Sequence, residues 1–153
     1  MATVEKLLIG TEAPVISAVA ITTTQNAVSA AFNNTVGATG DGYTIGRIKT
    51  IQSWGGTPAA NTAFYGWYLK SSDGGSTFED GAAGTGFTPL RFPDFSFPAD
   101  PTALSGSSIS RTMSRDVLLP AGVFKVLVQN PTAIGQSLTS LTLTITPITR
   151  ESV

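Results

Sequence analysis

The stretch Ser137–Ile148 reads SLTSLTLTITPI, and its central residues alternate cleanly. Leu141, Leu143 and Ile145 fall on one side of an extended chain, and Thr142, Thr144 and Thr146 fall on the other. That is the pattern of an antiparallel strand with one face on a core and an outer face of threonine. Just upstream, Val123-Phe-Lys-Val-Leu-Val-Gln129 repeats it, with Phe124, Val126 and Val128 on one face and Lys125 and Gln129 on the other. Asn130-Pro131 ends that run, so the two strands are expected to form a hairpin. Val117-Leu-Leu-Pro-Ala-Gly122 reads as a strand end and turn leading into it.

Working outward, the same strand chemistry recurs. Pro14–Thr24 (PVISAVAITTT), Tyr43–Trp54 (YTIGRIKTIQSW) and Ala63–Lys70 (AFYGWYLK) are rich in β-branched and aromatic residues and are bounded by turn formers. Ser71-Ser-Asp-Gly-Gly-Ser-Thr77 is a hairpin signal running into Phe78-Glu79. Helix signals are confined to Thr57-Pro58 and Asp100-Pro101, each worth one or two turns. The glycine-rich segments Gly37–Gly42 and Gly81–Gly86 read as loops entering strands. The expected fold is all-β: a two-sheet antiparallel β-sandwich, jelly-roll-like, over residues 14–153, with residues 1–13 an N-terminal arm or a first edge strand.

Composition limits the chemistry. Of 153 residues only 12% are charged, 9 basic and 10 acidic, and histidine and cysteine are absent. An average domain carries about 25% charged residues. No disulfide, thiolate nucleophile, imidazole base or His/Cys metal site can be built from this chain. A formal net charge of -1 supplies no basic field for a nucleic-acid backbone. With 41% hydrophobic residues the chain is nonetheless expected to fold. No apolar run is long enough for a signal peptide or a membrane span, so no membrane partner and a cytoplasmic site of synthesis and assembly are expected. The sparse charge leaves a surface with little electrostatic protection from association, which points to surfaces covered by partners.

Each conspicuous motif has a simpler structural role beside its functional one. The glycine segments run G-x-x-G-x-G, reversed from a dinucleotide fingerprint, and no G-K-[ST] follows them. Asp73, Glu79 and Asp80 are candidate calcium ligands or paired carboxylates, or else a solvated hairpin tip. Trp54, Tyr65, Trp67 and Tyr68 form either a sugar-stacking platform or core packing. Asn33-Asn34-Thr35 spells a glycosylation triplet that needs a secretory route to matter. In Phe92-Pro-Asp-Phe-Ser-Phe-Pro98, the residues Phe92, Phe95 and Phe97 either anchor a partner or close the end of the sandwich. No catalytic set, cofactor site or metal site emerges.

The segments Gly66–Gly81, with an aromatic strand and a DGG turn, Arg111–Asp116, and Leu119–Thr132, with LP-x-G-x-FKV, resemble small structural proteins of tailed bacteriophages. The resemblance spans roughly the last 90 residues. It implies a capsid cement or decoration protein on the outer capsid surface, without enzymatic activity, whose partners are the major capsid protein and further copies of itself, a trimer favoured over a dimer. A tail or tail-fibre component is the neighbouring reading, and a carbohydrate- or receptor-binding module the more distant one. Within Thr3–Pro14, the residues Lys6, Leu7, Leu8 and Ile9 are the expected contact of an arm that pairs with the capsid or a neighbour by strand addition, unless they are simply the sandwich's first strand.

Overall fold

The structure, a computed structural model, describes residues 5–34, 43–79, 88–99 and 109–152. Among the described residues ten strands follow in order: β1 (Glu5–Ile9), β2 (Ala13–Ile21), β3 (Asn26–Val28), β4 (Phe32–Asn34), β5 (Ile45–Trp54), β6 (Ala63–Lys70), β7 (Phe95–Pro98), β8 (Ile109–Leu118), β9 (Gly122–Gln129) and β10 (Leu138–Ser152). They form two five-stranded antiparallel sheets. In the first, β10 lies between β5 and the consecutive pair β1 and β2, and β8 flanks β5. In the second, β9 lies between β6 and the pair β3 and β4, and β7 flanks β6. The all-β sandwich read from the sequence is the observed architecture.

The pairings share a simple geometry. Glu5 faces Ser152, Ile21 faces Leu138, Asn26 faces Gln129, Ile45 faces Leu118 and Ala63 faces Pro98. Each pair brackets the middle of the chain, near Glu79, so the protein is one long antiparallel ribbon folded at its centre. The β5–β10 and β6–β9 pairings then roll that ribbon into two layers.

Alternation places the core between the layers. Leu141, Leu143, Ile145 and Ile48 from the first sheet meet Phe64, Phe97, Phe124, Val126 and Val128 from the second, all essentially without solvent contact. Each such side chain contributes about 1.5–3 kcal/mol of burial. Thr142 and Thr146 keep partial exposure on the outer face of β10, while Thr144 between them is buried, so the expected threonine face is only partly in water. The outer face of the second sheet differs: Trp67, Leu69 and Leu127 form a second small core there with Val28 and Phe78.

Two pairing expectations are corrected. β9 and β10 are not a hairpin, because they belong to opposite sheets. Between them a 3-10 turn at Thr132–Ile134 buries Ile134, and Asn130 Nδ2 donates to the carbonyls of Ile21 and Gln136, which holds the crossing. The Ser71–Thr77 segment is not a hairpin tip either, since β6 pairs with β9 and with β7, and no strand begins at Phe78. Thr57-Pro58 forms no helix, while Asp100-Pro101 and both glycine-rich segments lie outside the described residues.

Candidate functional site

β6 is hydrogen-bonded to β7 only as far as Gly66–Phe95, and Asp94 N–H still donates to the Gly66 carbonyl. One step further along, side chains replace the missing strand. Tyr68 N–H donates to Asp94 Oδ2 at 2.8 Å, and Arg91 Nη2 donates to the Tyr68 carbonyl. Arg91 Nη1 also meets Asp94 Oδ2 at 2.8 Å, and its Nη2 lies 3.9 Å from Glu79 Oε2. The Arg91 carbonyl accepts from Trp67 Nε1 at 3.1 Å. Arg91 and Asp94 thus act as an extra rung of the sheet, and they pin the loop before β7 over the second sheet.

Pinning Arg91 inward leaves its neighbours outward. Leu90 is fully exposed, and Phe92 is 93% exposed, between Pro89 and Pro93. Two apolar side chains are therefore held in water by a charged clamp between prolines, an arrangement that costs free energy until a partner covers it. Of the three phenylalanines considered as partner anchors, Phe92 stands free. Phe95 at 3% and Phe97 at 2% exposure are core residues, packed against Tyr68 and Phe64 respectively, so a contact role for them is corrected. Alternation forces this: on β7 both fall on the inward face, with Ser96 between them.

The N-terminal candidates lie elsewhere. Lys6 pairs with Glu151, Leu7 with Arg150, Leu8 with Thr149 and Ile9 with Ile148, so this segment is an edge strand of the first sheet within the chain's own fold. The Ile9 side chain is largely exposed. The structure does not bring this edge together with Leu90 and Phe92, which lie over the other sheet.

The turn Ser71–Thr77 is closed by its own Asp73. That carboxylate accepts from the backbone N–H groups of Ser76 and Thr77 and from the hydroxyls of Ser71 and Thr77. The Thr77 bonds above all hold its pKa far below the usual carboxylate range. Gly74 and Gly75 supply the positive φ values of 72° and 107° that the turn needs. Asp73 is thereby occupied, Glu79 faces Arg91, and Asp80 lies outside the described residues. Among the described residues no three carboxylates gather as a metal site would require. Lys125 Nζ sits 4.4 Å above the Phe78 ring and fastens the far end of this loop. The aromatic platform does not form: Trp54, Trp67 and Tyr68 are buried, and only Tyr65 is exposed. Asn34 is buried, with its amide donating to the carbonyls of Tyr43 and Pro120, and Asn33 beside it is exposed.

A cleft of about 450 Å³ opens at the flank where the two sheets end in β7 and β8. Its walls are Tyr68 and Lys70 of β6, Asp94, and residues 115–120. Tyr68 is 4% exposed, and its hydroxyl is buried with no hydrogen-bond partner among the described residues. Burial, with Asp94 nearby, pushes its pKa far above the ordinary phenol value. Arg115 lies on the inward side of β8 between Met113 and Val117, and its Nη1 donates to the Ser96 carbonyl at 3.4 Å. The sequence carries no signal for this cleft, because its residues are scattered over β6, β8 and the loops beside β7 and β8. The Leu90–Phe92 knob had a weak signal in the proline-bounded alternation of apolar, charged and apolar residues. Against known protein families, curated proteins and solved structures, the chain matches none.

Proposed function

We propose that this protein is a non-enzymatic structural component of a tailed-phage virion that binds the outer capsid shell and bridges neighbouring capsomers. The observation that carries the reading is the exposed pair Leu90 and Phe92, held outward by the inward-turned Arg91 on a chain with only 12% charged residues. A rigid apolar knob loses little conformational entropy on docking, which is how a small contact becomes a strong one.

The strand order supports the assignment. Counting β1 with β2 and β3 with β4, the first sheet reads first, eighth, third and sixth strand, and the second reads second, seventh, fourth and fifth. We read that order as jelly-roll-like, an architecture that recurs in viral capsid and lectin domains, and it supports the proposal by analogy of fold. The major capsid protein is the partner, and the chain acts as a homo-oligomer, a trimer in preference to a dimer.

Capsid shells mixed with the double variant Leu90→Ser/Phe92→Ser test this. Loss of about a hundredfold or more in shell binding, with an unchanged melting curve, is the expected result. Undiminished binding removes the knob as the anchor. Association of the wild-type protein with isolated tails instead of shells moves the assignment to a tail component.

A further inference from the structure

We infer that the cleft lined by Tyr68, Lys70 and Arg115 binds a small hydroxylated carboxylate, of the size and chemistry of a single sugar acid. This goes beyond the shell-binding role and rests on different residues.

The charge balance of the cleft gives the sign of the ligand. Among the described residues two carboxylates, Asp94 and Asp116, and two cations, Lys70 and Arg115, line it, but both carboxylates are engaged. Asp116 takes Arg47 Nε at 2.8 Å and Nη2 at 3.2 Å, and Asp94 Oδ2 takes Arg91 and the Tyr68 N–H. Lys70 and Arg115 have no carboxylate partner among the described residues, and Arg115 spends one donor on the Ser96 carbonyl. The uncompensated charge is therefore positive, and a carboxylate is the group that a guanidinium and an ammonium take together.

The rest of the cleft describes the body of the ligand. The Tyr68 hydroxyl is a buried group with an unmet hydrogen bond, which costs free energy unless something fills it. Asp94 Oδ1 takes none of the hydrogen bonds that Oδ2 does and can accept from a hydroxyl. Val117, Leu118 and Pro120 supply an apolar wall for a ring's C–H face. An inorganic anion uses the cations and nothing else, whereas a sugar acid uses all three kinds of group. The 450 Å³ of space lies in the range of small-ligand pockets.

Calorimetric titration of the full chain tests the assignment, with D-galacturonate and its linear trimer as probes and D-galactose and sulfate as controls. Saturable binding of galacturonate, with galactose and sulfate at least about tenfold weaker, is the expected result. Tighter binding of the trimer identifies a polysaccharide as the source of the carboxylate, and equal binding identifies a free sugar acid. Lys70→Gln and Arg115→Gln should each weaken binding about tenfold, and Tyr68→Phe by about threefold to tenfold, with folding intact by circular dichroism. No saturable heat with either probe overturns the proposal. So does sulfate binding as tightly as galacturonate, or binding that is unaffected by all three substitutions.

Discussion

At the scale of single residues, the buried Tyr68 hydroxyl and the carboxylate of Asp73 make opposite predictions. The hydroxyl has no partner among the described residues, so Tyr68→Phe should raise the unfolding free energy by about 1 kcal/mol in chemical denaturation, with the ring contacts to Phe95 and Phe124 kept. Destabilisation instead would mean that the hydroxyl is satisfied. Asp73 is over-satisfied, and its pKa is lowered; those of Asp116, bonded to Arg47, and Glu12, bonded to Lys49, are lowered as well. A carboxyl with a folded pKa below its unfolded value stabilises the fold fully above the unfolded value, near pH 4, and loses that contribution as the pH falls through the folded one. The chain has no histidine, the side chain whose ordinary pKa lies nearest neutrality. Thermal melts should therefore be flat from about pH 5 to 8 and fall steeply below about pH 4. Asp73→Asn should lower the melting temperature at neutral pH and flatten the acid limb; an unchanged acid limb would show that the turn does not stabilise the fold.

At the scale of elements, the β6–β7 pairing is the most constrained. Gly66 faces Phe95 across the strands, and a β-carbon at Gly66 would come within 2.1 Å of the Phe95 ring. That ring is itself wedged against Tyr68 and Phe97, so it has nowhere to move. Gly66→Ala should cost about 1–3 kcal/mol, read as a lowered denaturation midpoint with the slope unchanged. Breaking the adjacent clamp with Asp94→Ala should cost about 1–3 kcal/mol by leaving the Tyr68 N–H without its acceptor, and should loosen the loop that carries Leu90 and Phe92. Faster hydrogen exchange at residues 89–93, with the rest of β6 still protected, would confirm that division. The strands themselves were legible because alternation is a local property. The strand chemistry of Ala63–Lys70 coincides with the observed limits of β6, and the alternation alone identifies the buried faces of Phe124, Val126 and Val128 and of Leu141, Leu143 and Ile145. The Ser71–Thr77 segment was misread because a DGG turn looks the same whether it joins paired strands or closes on an aspartate.

At the scale of the molecule, the N-terminal edge and the state of association each carry a prediction. β1 covers only the last residues of β10 and contributes no described side chain to the main core, so removal of residues 2–12 should leave a folded protein with a modestly lower melting temperature. Loss of shell binding by that folded protein would make β1 a contact as well as an edge; loss of folding would show that it is integral to the sandwich. Sedimentation of the isolated protein should show self-association, because a low-charge surface with an exposed Leu90–Phe92 knob has little to oppose it. The sequence by itself determined the class of the fold, the inward face of the late strands and the chemistry that histidine and cysteine would have supplied. Those follow from composition and from a two-residue period, which need no knowledge of what lies opposite. Only the tertiary structure decided that β9 and β10 lie in different sheets, that Phe95 and Phe97 are interior while Phe92 is free, and that Tyr68, Lys70 and Arg115 share one cleft. In a ribbon folded at its centre, partners are set by their distance from the middle of the chain and by the way it rolls up, and neither is written in any local pattern.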